Sequence, residues 1–275
     1  MNPPIKQQAS MGILQMEEAE KKFQLTRYAP SSLLAPFVKH FWLVSWNLSE
    51  QSPFYQDVIP NPCVNLIIEQ ERSGIYGVAS RKYTKELIGT GKVFGVKFKP
   101  GGFYPFMMKP LSSLTDQAIA LKTIFPHDNN ELFHALRSSE RPEHLISLAQ
   151  QLLAQQLPKV DENVHFINQI IDYITTHTTI TKVEQLCDQF QLSSRKLQRL
   201  FSQYVGVSPK WVIQLYRLQN AAEALDRGLA NDFAKLSLEL GYYDQSHFIN
   251  DFKSIIGKTP EEYVRASAHS YNVNR

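Results

Sequence analysis

Two short clusters of side chains in the last third of this 275-residue chain have the chemistry of base recognition. Ser194, Arg195, Lys196, Gln198 and Arg199 form the first; Gln245, Ser246, His247, Ile249 and Asn250 form the second. An Arg fork matches guanine O6 and N7, and a Gln amide matches adenine N6 and N7. Base reading is therefore expected from Arg195, Gln198 and Arg199, and from Gln245, Ser246, Ile249 and Asn250. Lys196 suits the phosphate backbone, with Ser194 and His247 completing the two contact sets. Asp251 beside Asn250 puts a negative charge in the second cluster, so the second cluster is expected to add less affinity.

Such side chains work only when a helix holds them, and the surrounding sequence repeats itself accordingly. Leu186, Phe190, Leu197, Phe201, Val205, Gly206, Ser208 and Pro209 recur in order as Leu236, Leu240, Phe248, Phe252, Ile256, Gly257, Thr259 and Pro260. A solenoid needs about three repeats to bury its faces, so two copies point to a bipartite reader. Each copy has the grammar of a helix-turn-helix. Thr181 and Glu184 fit a capping box ahead of a stripe of Val183, Leu186, Cys187 and Phe190. Gln191 and Leu192 make the turn, and Ser193 is the N-cap of a second helix that buries Leu197, Leu200, Phe201 and Tyr204 and ends at Gly206. Ser208 and Pro209 open a longer helix through Trp211, Leu215, Leu218, Ala222 and Leu225 to Gly228. The second copy places Gly241 at its turn, Asp244 as cap and Gly257 as terminator.

The stretches LSSRKLQRLFSQYVGVSPKWV at 192–212 and LELGYYDQSHFINDFKSIIGKTPEEYV at 238–264 resemble the AraC/XylS family of bacterial transcription regulators, over about the last 105 residues. The resemblance implies two recognition helices held by the 209–227 helix in successive major grooves on one DNA face. At ~1.5 Å per residue that helix spans roughly 27 Å, near the ~34–36 Å between half-sites. The bland alternative is an ordinary helical bundle with Gly-Pro turns, and the duplication argues against it.

Ahead of this region, Phe23 to about Phe125 carries short β-like runs broken by Pro and Gly: FVKHFWLVSW at 37–46, CVNLIIE at 63–69, IYGVA at 75–79 and VFGVKFK at 93–99. The expected fold class is α+β: a mostly-β N-terminal sensor domain (a cupin-like sandwich or barrel), a helical linker, and an all-α C-terminal domain. The expected boundaries are a polar tail at 1–22, the β domain at 23–125, the linker at 126–158 and the double helix-turn-helix at 160–270. In the linker, Leu132 and Leu136 precede Pro142, and Leu145, Leu148, Leu152 and Leu153 follow it. Their spacing fits a seam against a second subunit or packing on the β domain. The segments at 33–44, 59–68 and 95–107 resemble a ligand-sensing domain found ahead of such DNA readers. Asn61, Pro62 and Asn65 stand where that family carries Pro-Asp-Gly and an Asp.

Catalytic and metal chemistry is thin in the β domain, so no catalytic residue, metal ligand or cofactor is assigned. His40 stands alone, and His127, His134 and His144 lie in the later helical part. Cys63 lacks a basic neighbour in sequence that would make it a thiolate, and a small core residue is the plainer reading. In VFGVKFK the alternation puts Phe94, Val96 and Phe98 on one face and Val93, Gly95, Lys97 and Lys99 on the other. With Arg81, Lys97 and Lys99 suit an anionic ligand or a DNA phosphate; a solvated outer face is the competing reading. Trp42, Trp46, Phe54, Tyr55, Phe103, Tyr104 and Phe106 line an apolar pocket or fill the core.

Charge is distributed against the simplest DNA-binding picture. Residues 160–275 carry twelve Lys and Arg against thirteen Asp and Glu, leaving seventeen against thirteen of the chain's 29 and 26 in residues 1–159. Per-monomer affinity is therefore expected to be modest, with a homodimer or RNA polymerase supplying the remainder. The absence of an apolar leader or membrane-length run, and two distant cysteines, Cys63 and Cys187, point to a cytoplasmic protein. The expected partners are double-stranded promoter DNA and a small-molecule effector, with no membrane. Two alternatives stand beside this reading: thiol chemistry at Cys63, and protein docking by residues 1–158.

Overall fold

The computed structural model describes residues 19–69, 72–126, 130–139, 141–228 and 232–265. The polar tail up to residue 18, His127 and the side chain of Leu132 lie outside the described residues. Eight strands come first: β1 (Phe23–Tyr28), β2 (Val38–Leu48), β3 (Phe54–Val58), β4 (Asn65–Ile68), β5 (Gly74–Tyr76), β6 (Tyr83–Leu87), β7 (Gly89–Phe98) and β8 (Ala118–Ile119), with a one-turn helix α1 (Tyr104–Met107) before the last. The helices that follow are α2 (Asn130–Ser138), α3 (Pro142–Gln155), α4 (Glu162–Thr176), α5 (Val183–Phe190), α6 (Ser194–Leu200), α7 (Pro209–Asp226), α8 (Phe233–Glu239) and α9 (Gln245–Ile256). The chain is thus mostly β in its first part and all-α in its last.

The strands make a six-stranded antiparallel sheet in the order β1-β2-β7-β4-β5-β8 and a two-stranded sheet of β3 and β6. Because side chains alternate along a strand, the larger sheet has two distinct faces. Phe41, Phe94, Val96, Phe98, Leu66 and Ile75 are buried on one of them, in a core shared with Leu145, Ile146, Ala149, Leu152 and Leu153 of α3. The leucine run of the linker therefore packs on the β region of its own chain, the second of the two roles its spacing allowed. A register shift between Val38 and His40 lets β2 change face, so that Val38 joins this core while His40 turns to the opposite side.

The helical part has two cores. Val164, Ile167, Ile170, Ile171, Leu186, Leu197, Phe201 and Val212 are buried together around the first helix-turn-helix. Leu215, Leu218, Ala222, Leu225, Leu236, Phe248, Phe252 and Ile256 form the second core. Helix α7 contributes to both, and Trp211 packs against each. Each core also takes in one residue of the β region: Val78 is buried in the first and Ile59 in the second.

Candidate functional site

Local sequence sets the geometry of each recognition helix. Ser193 Oγ accepts from the Lys196 N–H at 3.2 Å to start α6, and Asp244 Oδ1 accepts from the His247 N–H at 2.8 Å to start α9. The turns ahead of them need a left-handed residue: Gln191 has φ 52° in the first unit and Gly241 has φ 73° in the second. Helix α6 passes into a π-helical turn over Phe201–Val205 before Gly206 ends it at φ 98°. Gly206 also has no room for a side chain, since a Cβ there would lie 2.9 Å from the Leu111 carbonyl oxygen. The capping at α5 departs from expectation. Gln185 Oε1 accepts from the N–H groups of both Thr181 and Lys182, at 2.8 and 2.9 Å, so the reach-back comes from Gln185 instead of Glu184 and the N-cap is Lys182. Helix α7 ends at Asp226, with Gly228 just beyond its cap.

The predicted contact residues fall together on the solvent side. Leu197 is fully buried and Leu200 nearly so, while Ser194, Arg195, Lys196, Gln198 and Arg199 are all exposed. In α9, Phe248 and Phe252 face inward, Gln245, Ser246, His247 and Asn250 are exposed, and Ile249 is half-buried. Among the described residues no ion pair engages Arg195, Lys196 or Arg199, which leaves three cations on one short helix. Tyr243, one residue before the α9 cap, is 95% exposed and was not singled out from sequence. Its place two residues after Gly241 was the available signal.

The second feature is a cavity of about 690 Å³ between the two sheets. Its floor is the other face of the six-stranded sheet, and β3 and β6 cover it with Gln56, Val58, Tyr83 and Leu87. Lys97 lies on this floor, buried and opposite His40 in the β2–β7 register. The face of VFGVKFK that carries Lys97 is thus an interior wall, not a solvated outer face. Lys99 does not share that wall with Lys97, because β7 ends at Phe98 and the alternation with it; Lys99 is half-buried and off the cavity lining. Arg81 lines the mouth and is exposed. Of the aromatic set, Trp42 and Trp46 line the cavity, Phe103 and Phe106 belong to the core, Phe54 packs in a small cluster with Phe23 and Leu87, and Tyr55 is exposed. Tyr104 instead packs on Tyr204, ring centroids 4.2 Å apart.

Electrostatics inside the cavity follow from burial. Desolvation, reinforced by the neighbouring Lys97, Arg27 and Lys39 charges, holds the His40 imidazole down to about 3, so it is neutral at physiological pH. The same burial brings the Lys97 ammonium down to about 8, with Arg27 and Lys39 adding to the fall and Cys63 opposing it. Lys97 is therefore a basic neighbour that Cys63 lacked in sequence and acquires only through the fold. Sequence reasoning missed Arg27 altogether. The alternation of Phe23 and Leu25 with Arg27 was the signal in the chain, and the pairing with Trp46, Val44 and Trp42 shows its face.

Two loops border both the cavity and the helices. Ile59, Pro60, Asn61 and Cys63 line it on one side, and Gly77, Ala79, Arg81 and Lys82 on another. Gln219 of α7 donates to the Pro60 carbonyl at 3.2 Å, and Trp211 Nε1 donates to the Ser80 carbonyl at 3.2 Å.

This geometry defines a class: a β region enclosing a cavity, bonded to two helix-turn-helix units on a shared helix. Residues 186–266 match the family described as a helix-turn-helix domain, and residues 26–120 match one described as a domain of unknown function. The chain carries an AraC-type helix-turn-helix domain at its C-terminal end, preceded by that second domain. Among curated proteins it is 33% identical over 84 residues to an uncharacterized HTH-type transcriptional regulator of Haemophilus influenzae, covering 30% of this chain and 28% of the relative. It is 25% identical over 112 residues to the transcriptional regulatory protein HptR of Staphylococcus aureus, covering 40% and 44%. The chain thus spans less than half the length of these relatives. Among solved structures, ToxT from Vibrio cholerae is 14% identical with a TM-score of 0.37, covering 89% of this chain and 97% of that one.

Proposed function

We propose that this protein is a sequence-specific DNA-binding transcription regulator whose helices α6 and α9 read promoter DNA. The observation that carries the reading is the duplication itself: two capped second helices, each with its apolar side buried and its polar side free, on either end of one 18-residue helix α7. Arg195, Gln198 and Arg199 read bases in one half-site, and Gln245, Ser246, Ile249 and Asn250 read the other. Ser194, Lys196 and His247 hold the backbone. In this reading the chain is organised as a β domain over 23–125, a linker over 126–158 and a DNA-binding domain over 160–270.

In this reading the cavity receives a small-molecule effector and performs no chemistry. The loops at 59–63 and 77–82 couple the two parts, because any ligand that shifts them shifts their bonds to α7. Near-neutral charge in the helical part makes a homodimer or RNA polymerase the source of further affinity. A dimer would use a surface other than the α3 leucines, which are buried. The test is selection of bound sequences from a random duplex pool by the full chain, repeated with Arg199→Ala. An enriched motif with two half-sites about one helical turn apart is expected; no enriched motif overturns the reading. Cys63→Ser is expected to leave the selected motif unchanged.

A further inference from the structure

The cavity holds two buried cations that no described carboxylate neutralises. Arg27 and Lys97 retain 9% and 8% of their exposure, and His40 retains 3%. They gather at one end of the sheet face: Lys97 pairs in register with His40, and Arg27 with the neighbouring Trp42. The acidic groups of the same wall are engaged elsewhere. Glu69 is bonded to Lys85 at 2.6 Å, Asp57 behind the wall to Lys82 at 2.9 Å, and Asp116 accepts from the Ser80 N–H at 2.7 Å. Among the described residues no carboxylate is paired with Arg27 or Lys97. Burying an unpaired charge is costly, and a protein that keeps two at one spot carries that cost for a partner that is not part of its own chain.

The rest of the floor says what that partner looks like. Beyond the cationic end, β2 presents Trp42, Val44 and Trp46 in succession, flanked by Leu25 and Phe23 of β1. The two indoles lie down on the sheet because glycines face them. A Cβ on Gly95 would fall 2.1 Å from Trp42 Cε2, and one on Gly91 would fall 2.3 Å from Trp46 Cζ2. Flat rings on a flat floor leave a slot with a charged end and an apolar length.

We infer that the cavity binds an organic monocarboxylate with a flat apolar body, its carboxylate held by Arg27 and Lys97 and its body lying over Trp42 and Trp46. The Arg27 fork can take both carboxylate oxygens, Lys97 adds a point charge, and neutral His40 supplies a further hydrogen bond. A single negative charge is matched to two cations softened by burial. This assignment rests on the cavity being the effector site, but names its ligand class.

The test is thermal stabilisation and calorimetric titration of the full chain with flat aromatic monocarboxylates of one to three rings, each beside its primary amide. 2-Naphthoate with 2-naphthamide is the central pair, and inorganic phosphate is a control. The acids are expected to bind about tenfold or more tightly than their amides, as a charge-assisted contact demands. Lys97→Met and Arg27→Met should remove that preference, and Lys97→Arg should retain it. Lys97→Met should also fold with a raised Tm when no ligand is present, since an unpaired buried charge has gone. Amides matching acids, phosphate matching naphthoate, a preference that survives both Met variants, or no acid binding at all would each overturn the assignment. Fluorescence anisotropy of the selected duplex separates the two readings. Acids that bind without changing DNA affinity leave the carboxylate site standing and remove the effector role; amides that bind and change it do the reverse.

Discussion

The two helix-turn-helix units share a plan and differ in what surrounds it. The first is bonded into the β region: Gln203 donates to the Tyr104 hydroxyl at 2.6 Å, Thr115 to the Gly206 carbonyl at 2.7 Å, and Tyr204 rests on Tyr104. The second meets that region mainly through Ile59 and through Lys82, whose side chain lies over Gly257. Their reading faces differ as well. Arg195, Lys196 and Arg199 in α6 stand opposite Ser246, His247 and Asn250 in α9, at an offset of fifty-one residues. One plan thus yields a firmly held, cationic unit and a more loosely held, nearly neutral one. In the proposed reading the first unit supplies more of the affinity than the second.

Core truncation probes the first half of that contrast and should give the largest effect. Phe201 and Phe252 occupy equivalent places and both are fully buried, so Phe201→Ala and Phe252→Ala should each cost about 3–5 kcal/mol. The consequences should diverge. Phe201→Ala is expected to lower the melting of the whole chain, because its core includes Val78 and packs against Tyr104. Phe252→Ala should melt residues beyond α7 first, seen in hydrogen exchange as early loss of protection in α8 and α9. Uniform loss in both variants would abolish the distinction in docking.

Trp211 joins the two units and should rank next. It packs on both helical cores and donates to Ser80, so Trp211→Ala is expected to lose about 3 kcal/mol while leaving the base-preference profile intact. Chemical denaturation and the duplex-pool profile check the two parts. Full stability with a changed profile would place the indole against DNA.

Arg199 and Asn250 compare the reading faces directly. Arg199→Ala should cost about 1–3 kcal/mol and relax preference at one base pair, whereas Asn250→Ala should cost less than about 1 kcal/mol. Binding across single-base variants of the selected site decides it. Uniform weakening by Arg199→Ala, with a salt slope reduced by about one, would make it a phosphate contact instead.

The helical part was legible because its signals are local. Ser193, Ser208, Asp244, Gly206 and Gly257 act through neighbours within a turn, and each does so in the structure. The repeat then read each unit twice. What sequence misplaced depends on contacts far along the chain. Glu184 and Gln185 both fit a capping residue, and only the helix phase chose between them. Lys97 alternates with core residues as any half-exposed strand would; whether its face meets water or a cavity is decided by β3 and β6, which pair across 25 residues or more. His40 looked solitary because the register shift at Val38 and the pairing with β7 bring it to Lys97. Arg27 sits in an unremarked strand, and its meaning comes from the lack of a paired carboxylate among the described residues.

The smallest effect expected is at Asp251, and it tests why the second unit is nearly neutral. Its side chain is half-buried and acts on Arg217 and Tyr242, where the Arg217 guanidinium lies 4.5 Å from the Tyr242 ring centre. Two roles compete at that position. As a fixed negative charge beside the proposed reading face, Asp251 repels phosphate; as a neighbour of Arg217, it balances a half-buried cation. Asp251→Asn keeps the shape and removes the charge. If repulsion dominates, DNA affinity should rise by less than about 1 kcal/mol and the gain should shrink as salt is added, because the Debye length contracts to roughly 8 Å at physiological ionic strength. If the balancing role dominates, thermal stability should fall and affinity should stay level. Arg217 is half-buried and already donates to the Leu240 carbonyl, so it has a partner other than Asp251. The first outcome is therefore expected, read as anisotropy titrations of both proteins at three salt concentrations. Level affinity with a lowered Tm would show that the neutrality of the second unit is structural and leaves its contribution to binding intact.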